Sequence, residues 1–377
     1  MIPVNPHLDA LRRSPIRVYT NLANATPGCI KLTIGEPDMD TPENIRAAAA
    51  AALAAGRTHY APNQGIPELR RAIAAFETER GHEVTEDRVL ITVGATQALY
   101  TALTGILEPG DRVIIPTPAF VLYESIVLAA GGQPVYLDLT KSDFQIREED
   151  LITLIDDRTK AIILNSPNNP TGSVLTDESL SAVKKAVLGK PIALICDNVY
   201  QQLCDRECPD LSLDPELRDQ VILCQSFSKP WAMTGWRVGY LTAPAYLMDK
   251  LLLLSAANIA SVPTFVQAAA VEALRTSPQP LADIFRRRRS FAEARLRVMG
   301  MEFPRPEGAF YVFPSIKPFG ITGDEFCTRL IREAGVAAVP GNCFGAEGFI
   351  RISCCCSDED LKEGLDRLER FIRSLPL

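Results

Sequence analysis

Ile192-Ala-Leu-Ile-Cys196-Asp197 is an unbroken apolar run closed by a carboxylate. The same unit recurs on either side of it, as Arg88-Val-Leu-Ile-Thr-Val93, Arg112-Val-Ile-Ile-Pro116, Ala161-Ile-Ile-Leu164 and Val221-Ile-Leu-Cys224. A run with no polar alternation has no solvent face, so each reads as a strand buried on both sides. Between them, Thr96 to Leu107, Ala119 to Ala130 and Asp177 to Val187 have helical spacing. Strands of this kind alternating with helices predict an α/β architecture, a mostly parallel sheet between two layers of helices. Ligands of such sheets bind beyond the carboxyl ends of the strands. Gly94, Asn169, Asp197 and Lys229 all fall there.

Beyond Pro278-Gln-Pro280, which reads as a breaker, the pattern changes. A long charged helix is expected from Leu281 to Met299, then strands near Ala309 to Phe313 and Phe349 to Ser353, then a last helix from Asp358 to Ile372. This predicts a second, smaller α+β domain. The alanine tract Ala47 to Ala55 is a strong helix former.

The 377 residues are 47% hydrophobic and 23% charged, enough for a sizeable core in one domain or two. A net charge of −7 argues against nucleic acid or an anionic membrane as partner. Arg286 to Arg289 is the one basic cluster; with Phe291, Ala294 and Leu296 at helical spacing, it reads as a solvated helix face. Of ten cysteines, Cys196 and Cys224 sit in strand runs and Cys354-Cys355-Cys356 in another, a pattern of buried reduced thiols. No C-x-x-C pair occurs, and Cys204 and Cys208 have only His7, His59 and His82 as candidate histidine partners, so no metal site is expected. Met1 to His7 lacks a basic segment leading into an apolar one, and no stretch is long and apolar enough to span a bilayer. A cytoplasmic location is expected.

The chemistry concentrates in Ser226-Phe-Ser-Lys229-Pro-Trp-Ala-Met-Thr-Gly-Trp-Arg237. A lysine that condenses with an aldehyde needs a free amine, hence a site that lowers its pKa. Hydroxyls at Ser226 and Ser228 and the guanidinium of Arg237 are donors suited to a phosphate. In Val93-Gly-Ala-Thr-Gln97 a strand passes into a helix, and the amides of Ala95 and Thr96 would form a phosphate cradle. Asp197, at the end of a buried strand, requires a cation or a strong donor; a helix cap or surface turn is the plainer alternative. In Phe349-Ile-Arg351-Ile-Ser353 an arginine sits amid apolar residues and requires an anion. Taken singly, each has a structural explanation: Lys229 as a solvated lysine, Asn-Pro-Thr-Gly172 as a turn.

Taken together and in order from Gly35 to Arg351, these segments resemble the class I/II pyridoxal-phosphate-dependent aminotransferases of fold type I. The resemblance implies a large domain with a seven-stranded sheet over residues 41–278, a small domain over 279–377, and an N-terminal segment, 1–40, packing with the latter. It implies pyridoxal 5′-phosphate as cofactor, held by Lys229 as a Schiff base. In the family, the residue matching Asp197 meets the pyridine nitrogen, while those matching Tyr200 and Asn169 contact the ring's 3-oxygen. Phe120, in Pro118-Ala-Phe, matches the aromatic that stacks on the ring, or is a core aromatic. Arg351 and Gly35 match the residues at the substrate carboxylate, with Asn169 beside them. Tyr60, in His59-Tyr-Ala-Pro-Asn-Gln-Gly65, matches a tyrosine that crosses a homodimer interface to the neighbouring phosphate. Asn198 departs from the Glu or Ala usual after the aspartate.

The implied activity is ping-pong transfer of an amino group from an L-amino acid to a 2-oxo acid, with 2-oxoglutarate expected as acceptor. A C–S lyase or racemase on the same scaffold is the alternative. A transcriptional regulator is disfavoured, because such proteins carry a basic extension ahead of this fold. Ser14-Pro-Ile-Arg17 and Thr33-Ile-Gly-Glu-Pro-Asp38 are similar to bacterial enzymes acting on aspartate, aromatic amino acids and N-acetyl-diaminopimelate. One aspartate-specific branch has a lysine where this chain has Thr96. Arg17 either meets a distal carboxylate or is solvated.

Overall fold

The computed structural model describes Ile2, Asp9, Leu11 and residues 15–375. Ser14, His7 and most of the Met1 to His7 segment lie outside the described residues. The strands are, in order, β1 (Ile30–Lys31), β2 (Val89–Thr92), β3 (Arg112–Thr117), β4 (Gln133–Asp138), β5 (Thr159–Leu164) and β6 (Ala193–Asp197). They continue with β7 (Val221–Ser226), β8 (Gly239–Thr242), β9 (Tyr311–Val312), β10 (Val336–Ala337), β11 (Val339–Pro340) and β12 (Ile350–Ser353).

Seven of them form one sheet in the order β2-β8-β7-β6-β5-β3-β4. Only β8 runs against its neighbours, pairing antiparallel with both β2 and β7. The predicted runs became these strands because each has apolar side chains on both faces. Ile163, Ile195 and Ile222 face one helix layer, with Leu99, Leu103 and Val127. Ile162, Leu194 and Leu223 face the other, with Leu180, Val183 and Val187. At about 25 cal/mol per Å² of apolar surface removed from water, this double coverage dominates the stability of the sheet. The helix Asp177–Val187 begins where Thr176 accepts a bond from the Ser179 amide, with Asp177 and Glu178 in its first turn and Lys184 and Lys185 in its last. Cap and charges both complement the helix dipole.

The C-terminal third builds a separate, smaller sheet, β11-β12-β9, and pairs β10 with β1 from the first tenth of the chain. The helix Asp358–Ser374 is capped by Ser357 and buries Leu361, Leu365, Leu368 and Ile372 along one stripe. That stripe shares a core with Tyr19 and Ala23 of the helix Ile16–Asn24, with Leu32, and with Leu330 and Ile331. Ile30 pairs with Val336, and Arg367 donates to the Gly28 carbonyl at 3.0 Å, so the chain start is stitched to its end.

The basic cluster corrects the sequence reading. On the helix Gln279–Val298, Arg286 and Arg287 face solvent, but Arg288 and Arg289 do not; Arg289 is only 1% exposed. Their turn of the helix packs inward, and carboxylates meet them there. Arg288 holds Asp38 at 2.6 and 3.0 Å and Asp358 at 2.7 Å, while Arg289 pairs with Asp205 and donates to the Ala309 carbonyl. Four consecutive arginines on a 3.6-residue period cannot share one face, and only the packing decides which pair is buried.

Candidate active site

The carboxyl ends of β2, β3, β5, β6 and β7 open onto a cleft of about 520 Å³. Because β8 runs the opposite way, its amino end lies at the same edge, and Arg237, just ahead of it, joins the others. Of the residues expected at the site, Gly35, Ala95, Thr96, Phe120, Asn169, Asp197, Tyr200, Ser226, Ser228, Lys229, Arg237 and Arg351 all line the cleft. Tyr60 does not; it is 91% exposed on the surface.

One corner is built for an anion. The helix Gly94–Ile106 starts there and aims its first amides into the cleft. Gly94 has φ +76°, and a Cβ on it would lie 2.7 Å from the Arg237 guanidinium, so only glycine lets the helix start this close. Arg237 is anchored by Nη1 donating to the Thr234 carbonyl at 2.9 Å. Beside it, the Ser226 hydroxyl donates to Ser228 Oγ at 2.8 Å and accepts from the Ser228 amide at 3.1 Å.

Lys229 leaves this corner toward the middle of the cleft, where its Nζ donates to the Gly35 carbonyl at 2.6 Å. Burial holds its ammonium below the ordinary lysine range. Asp197, 4% exposed, stands at the end of β6. Its Oδ2 accepts from the Tyr123 phenol at 2.6 Å, whereas Oδ1 has no side-chain partner among the described residues. Burial pushes its carboxyl up to about 6, with the Tyr123 hydrogen bond pulling the other way. An unpartnered oxygen on a buried carboxylate is costly, and marks the place for a cationic donor. Tyr200 pairs with the Tyr311 hydroxyl at 3.1 Å.

Arg351, 3% exposed on β12, enters from the opposite wall. Its Nη1 donates to Asn169 Oδ1 at 2.9 Å and its Nη2 to the Thr33 carbonyl at 2.7 Å; Nε has no partner. The guanidinium lies 4.6 Å from the Tyr311 ring centre and 4.9 Å from that of Phe344. Among the described residues no carboxylate forms an ion pair with it. Flat aromatic walls and neutral acceptors orient the fork without neutralising it, which leaves a buried cation ready for a carboxylate. Gly35 is required opposite, since a Cβ there would overlap the Tyr311 hydroxyl.

Several contributors went unseen in the sequence. Tyr123 follows Phe120 by one helical turn, a spacing that carries a signal only once Phe120 is placed. Asn165 directly follows β5; its amide donates to the Asp197 carbonyl at 2.8 Å and its Oδ1 accepts from the Asn169 amide at 2.9 Å. Thr33 lies in the segment of Gly35, but only its main-chain carbonyl is used, which no residue type announces, and nothing in the sequence links Tyr311 to the cleft. Asn198 turns away and donates to Asp210 at 2.9 Å. Arg17 is exposed and does not line the cleft, although Ile16 and Thr20 of the same helix do. No described helix is long and apolar enough to cross a membrane.

A family model described as aminotransferase class I and II matches residues 27–368. An aspartate aminotransferase of Pyrococcus abyssi is 38% identical, the match covering 99% of each chain. A probable N-acetyl-LL-diaminopimelate aminotransferase of Bacillus subtilis is 37% identical, over 98% of this chain and 95% of the other. The solved structure of the Thermus thermophilus aspartate aminotransferase with maleate superimposes with a TM-score of 0.92 at 36% identity, covering 98% of this chain and all of that one.

Proposed function

Since this chain belongs to the class I and II aminotransferases and has their fold, we propose that it uses pyridoxal 5′-phosphate to transfer an amino group from an L-amino acid to a 2-oxo acid. The observation that carries the reading is Asp197 Oδ1, a buried carboxylate oxygen without a hydrogen-bond partner among the described residues, in one cleft with Lys229 and with Arg351, which forms no ion pair among them. The donor set fits the cofactor throughout. Ala95 and Thr96 amides, Ser226, Ser228 and Arg237 would hold its phosphate; Asp197 its ring nitrogen; Tyr200 and Asn169 its 3-oxygen; Phe120 its ring face. When bound, pyridoxal phosphate supplies an aldehyde for the Lys229 amine and a ring that draws electrons from the substrate Cα.

The protein's own groups then divide the work. Arg351, oriented by Asn169 and Thr33, grips the substrate carboxylate with two parallel N–H donors, and Gly35 leaves room for it. Lys229, whose pKa burial lowers, would act in its free-amine form as the base for the proton on the substrate Cα and hold that proton afterwards as the acid. Asp197 must be anionic to keep a proton on the ring nitrogen. Alternation of donor amino acid and acceptor oxo acid at this one site is the ping-pong scheme, and 2-oxoglutarate is the proposed acceptor.

The same reading divides the chain into a large domain, 41–278, and a small one, 279–377, packed with residues 1–40, and makes the working unit a cytoplasmic homodimer. The exposed Tyr60 suits a role at the neighbouring subunit's phosphate. The test is a panel of amino donors, aspartate, aromatic and N-acylated diamino acids included, with 2-oxoglutarate. Glutamate formed in step with the donor's oxo acid is expected. Pyruvate and ammonia without any acceptor would instead make it a lyase and refute transamination.

A further inference from the structure

Two side chains tie Asp197. Its main-chain carbonyl is held by Asn165, at 2.8 Å, and one carboxylate oxygen by Tyr123, at 2.6 Å. The torsion that turns a carboxylate is broad and soft, so without a tie the group would not present one particular oxygen to the cleft. A length of 2.6 Å is that of a phenol donating to an anion. Tyr123 is in turn held firmly. It lies in the first turn of the helix Leu122–Ala129, its amide donates to the Phe120 carbonyl at 3.1 Å, and its ring meets that of Phe120 edge-on at 5.6 Å. One helix entry thus delivers both Phe120 and the tie on Asp197.

We infer that Tyr123 is a positioning residue for Asp197: its phenol occupies Oδ2 so that Oδ1 faces the cleft, and it keeps the carboxylate a weak enough base for a shared proton to stay on the cofactor's ring nitrogen. This rests on the pyridoxal-phosphate reading above. A hydrogen bond donated to a carboxylate favours its anionic form. Removal of that bond makes Asp197 a stronger base, and the proton shifts from the ring nitrogen to the carboxylate. The other groups facing this pair are Lys229 and the Val199 amide toward Asp197, and Tyr200 and Cys224 toward Tyr123. All of these stay in place in Tyr123→Phe, which deletes a single oxygen.

The experiment is ¹⁵N NMR of ring-labelled pyridoxal phosphate bound to the wild type and to Tyr123→Phe, with steady-state kinetics alongside. The wild type should show the protonated ring nitrogen, and the variant a signal moved downfield toward neutral pyridine. Loss of a hydrogen bond to a charged group should lower kcat about tenfold, and KM for the amino donor should move less than about twofold. An unmoved ¹⁵N signal in a folded variant overturns the inference, even if activity falls, because a merely structural role predicts that result. Should the variant fail to fold, 3-fluorotyrosine at position 123 carries the test. It keeps the shape and donates more strongly, so the ring proton must persist to higher pH than in wild type; an unchanged titration overturns the inference. Wild type that binds no pyridoxal phosphate refutes the cofactor reading itself, a distinct result.

Discussion

Arg351→Ala is the most informative perturbation of the substrate side of the cleft. The guanidinium is buried, each terminal nitrogen commits one of its two N–H groups, to Asn169 Oδ1 and to the Thr33 carbonyl, and Nε is unpartnered among the described residues. It makes no ion pair with any described residue, so a bound carboxylate would be its first counter-charge. Deletion of one member of a buried charged pair costs roughly 3–5 kcal/mol, because the other charge is left desolvated. At 1.36 kcal/mol per decade this is a loss of about 10²- to 10⁴-fold in kcat/KM for the amino donor. Arg351→Lys should fall between, since it keeps the charge but loses the planar fork. The assay compares an amino acid with the primary amine that lacks its carboxylate. Wild type should strongly prefer the amino acid, and Arg351→Ala should lose nearly all of that preference. If the variant loses the same factor against both donors, Arg351 supports the wall and does not recognise the substrate, and the reasoning fails.

Lys229→Ala should abolish turnover yet still take up pyridoxal phosphate through the phosphate corner, as read by dialysis and absorbance; measurable turnover would remove Lys229 from its role. In the unliganded protein, Asp197 with a carboxyl near 6 is more easily protonated when folded than unfolded, so its burial is tolerated at low pH and costs stability as pH rises from about 4 through 6. Asp197→Asn should therefore raise the apo melting temperature at pH 8, by an amount reflecting ~2–3 kcal/mol, with the gain gone near pH 4; a gain independent of pH would refute this cause. For the homodimer, co-refolding Tyr60→Ala with Arg351→Ala should restore about a quarter of wild-type activity, since half of randomly mixed dimers carry one intact site. Activity no higher than the average of the two parents would place Tyr60 in its own subunit's site or in none.

The local code was strong wherever chemistry and secondary structure come from the same short segment. An apolar run with no polar alternation reads as a strand covered on both faces, and such strands mostly run parallel with helices between them, β8 being the exception here. The end of β6 therefore puts Asp197 at the binding edge, and the residues that follow β7 bring Lys229 and Arg237 there too, whatever the details of packing. Gly94 is legible for the same reason, as the junction of a strand and a helix.

What the sequence alone determined, then, is the sheet, its binding edge and the reactive groups placed along it, because period and strand ends are properties of neighbours in the chain. The three-dimensional packing alone sets the contacts between segments that lie tens to hundreds of residues apart. Tyr311 stacks under Arg351 and forbids a side chain at Gly35; Thr33 and Asn169 aim the guanidinium; Tyr123 settles which oxygen of Asp197 is free. The arginines at 286–289 show the same division. Their helix was legible, but which two are buried depends on where Asp38, Asp205 and Asp358 arrive, and side-chain burial is set by the surface a helix meets, which its own sequence does not encode.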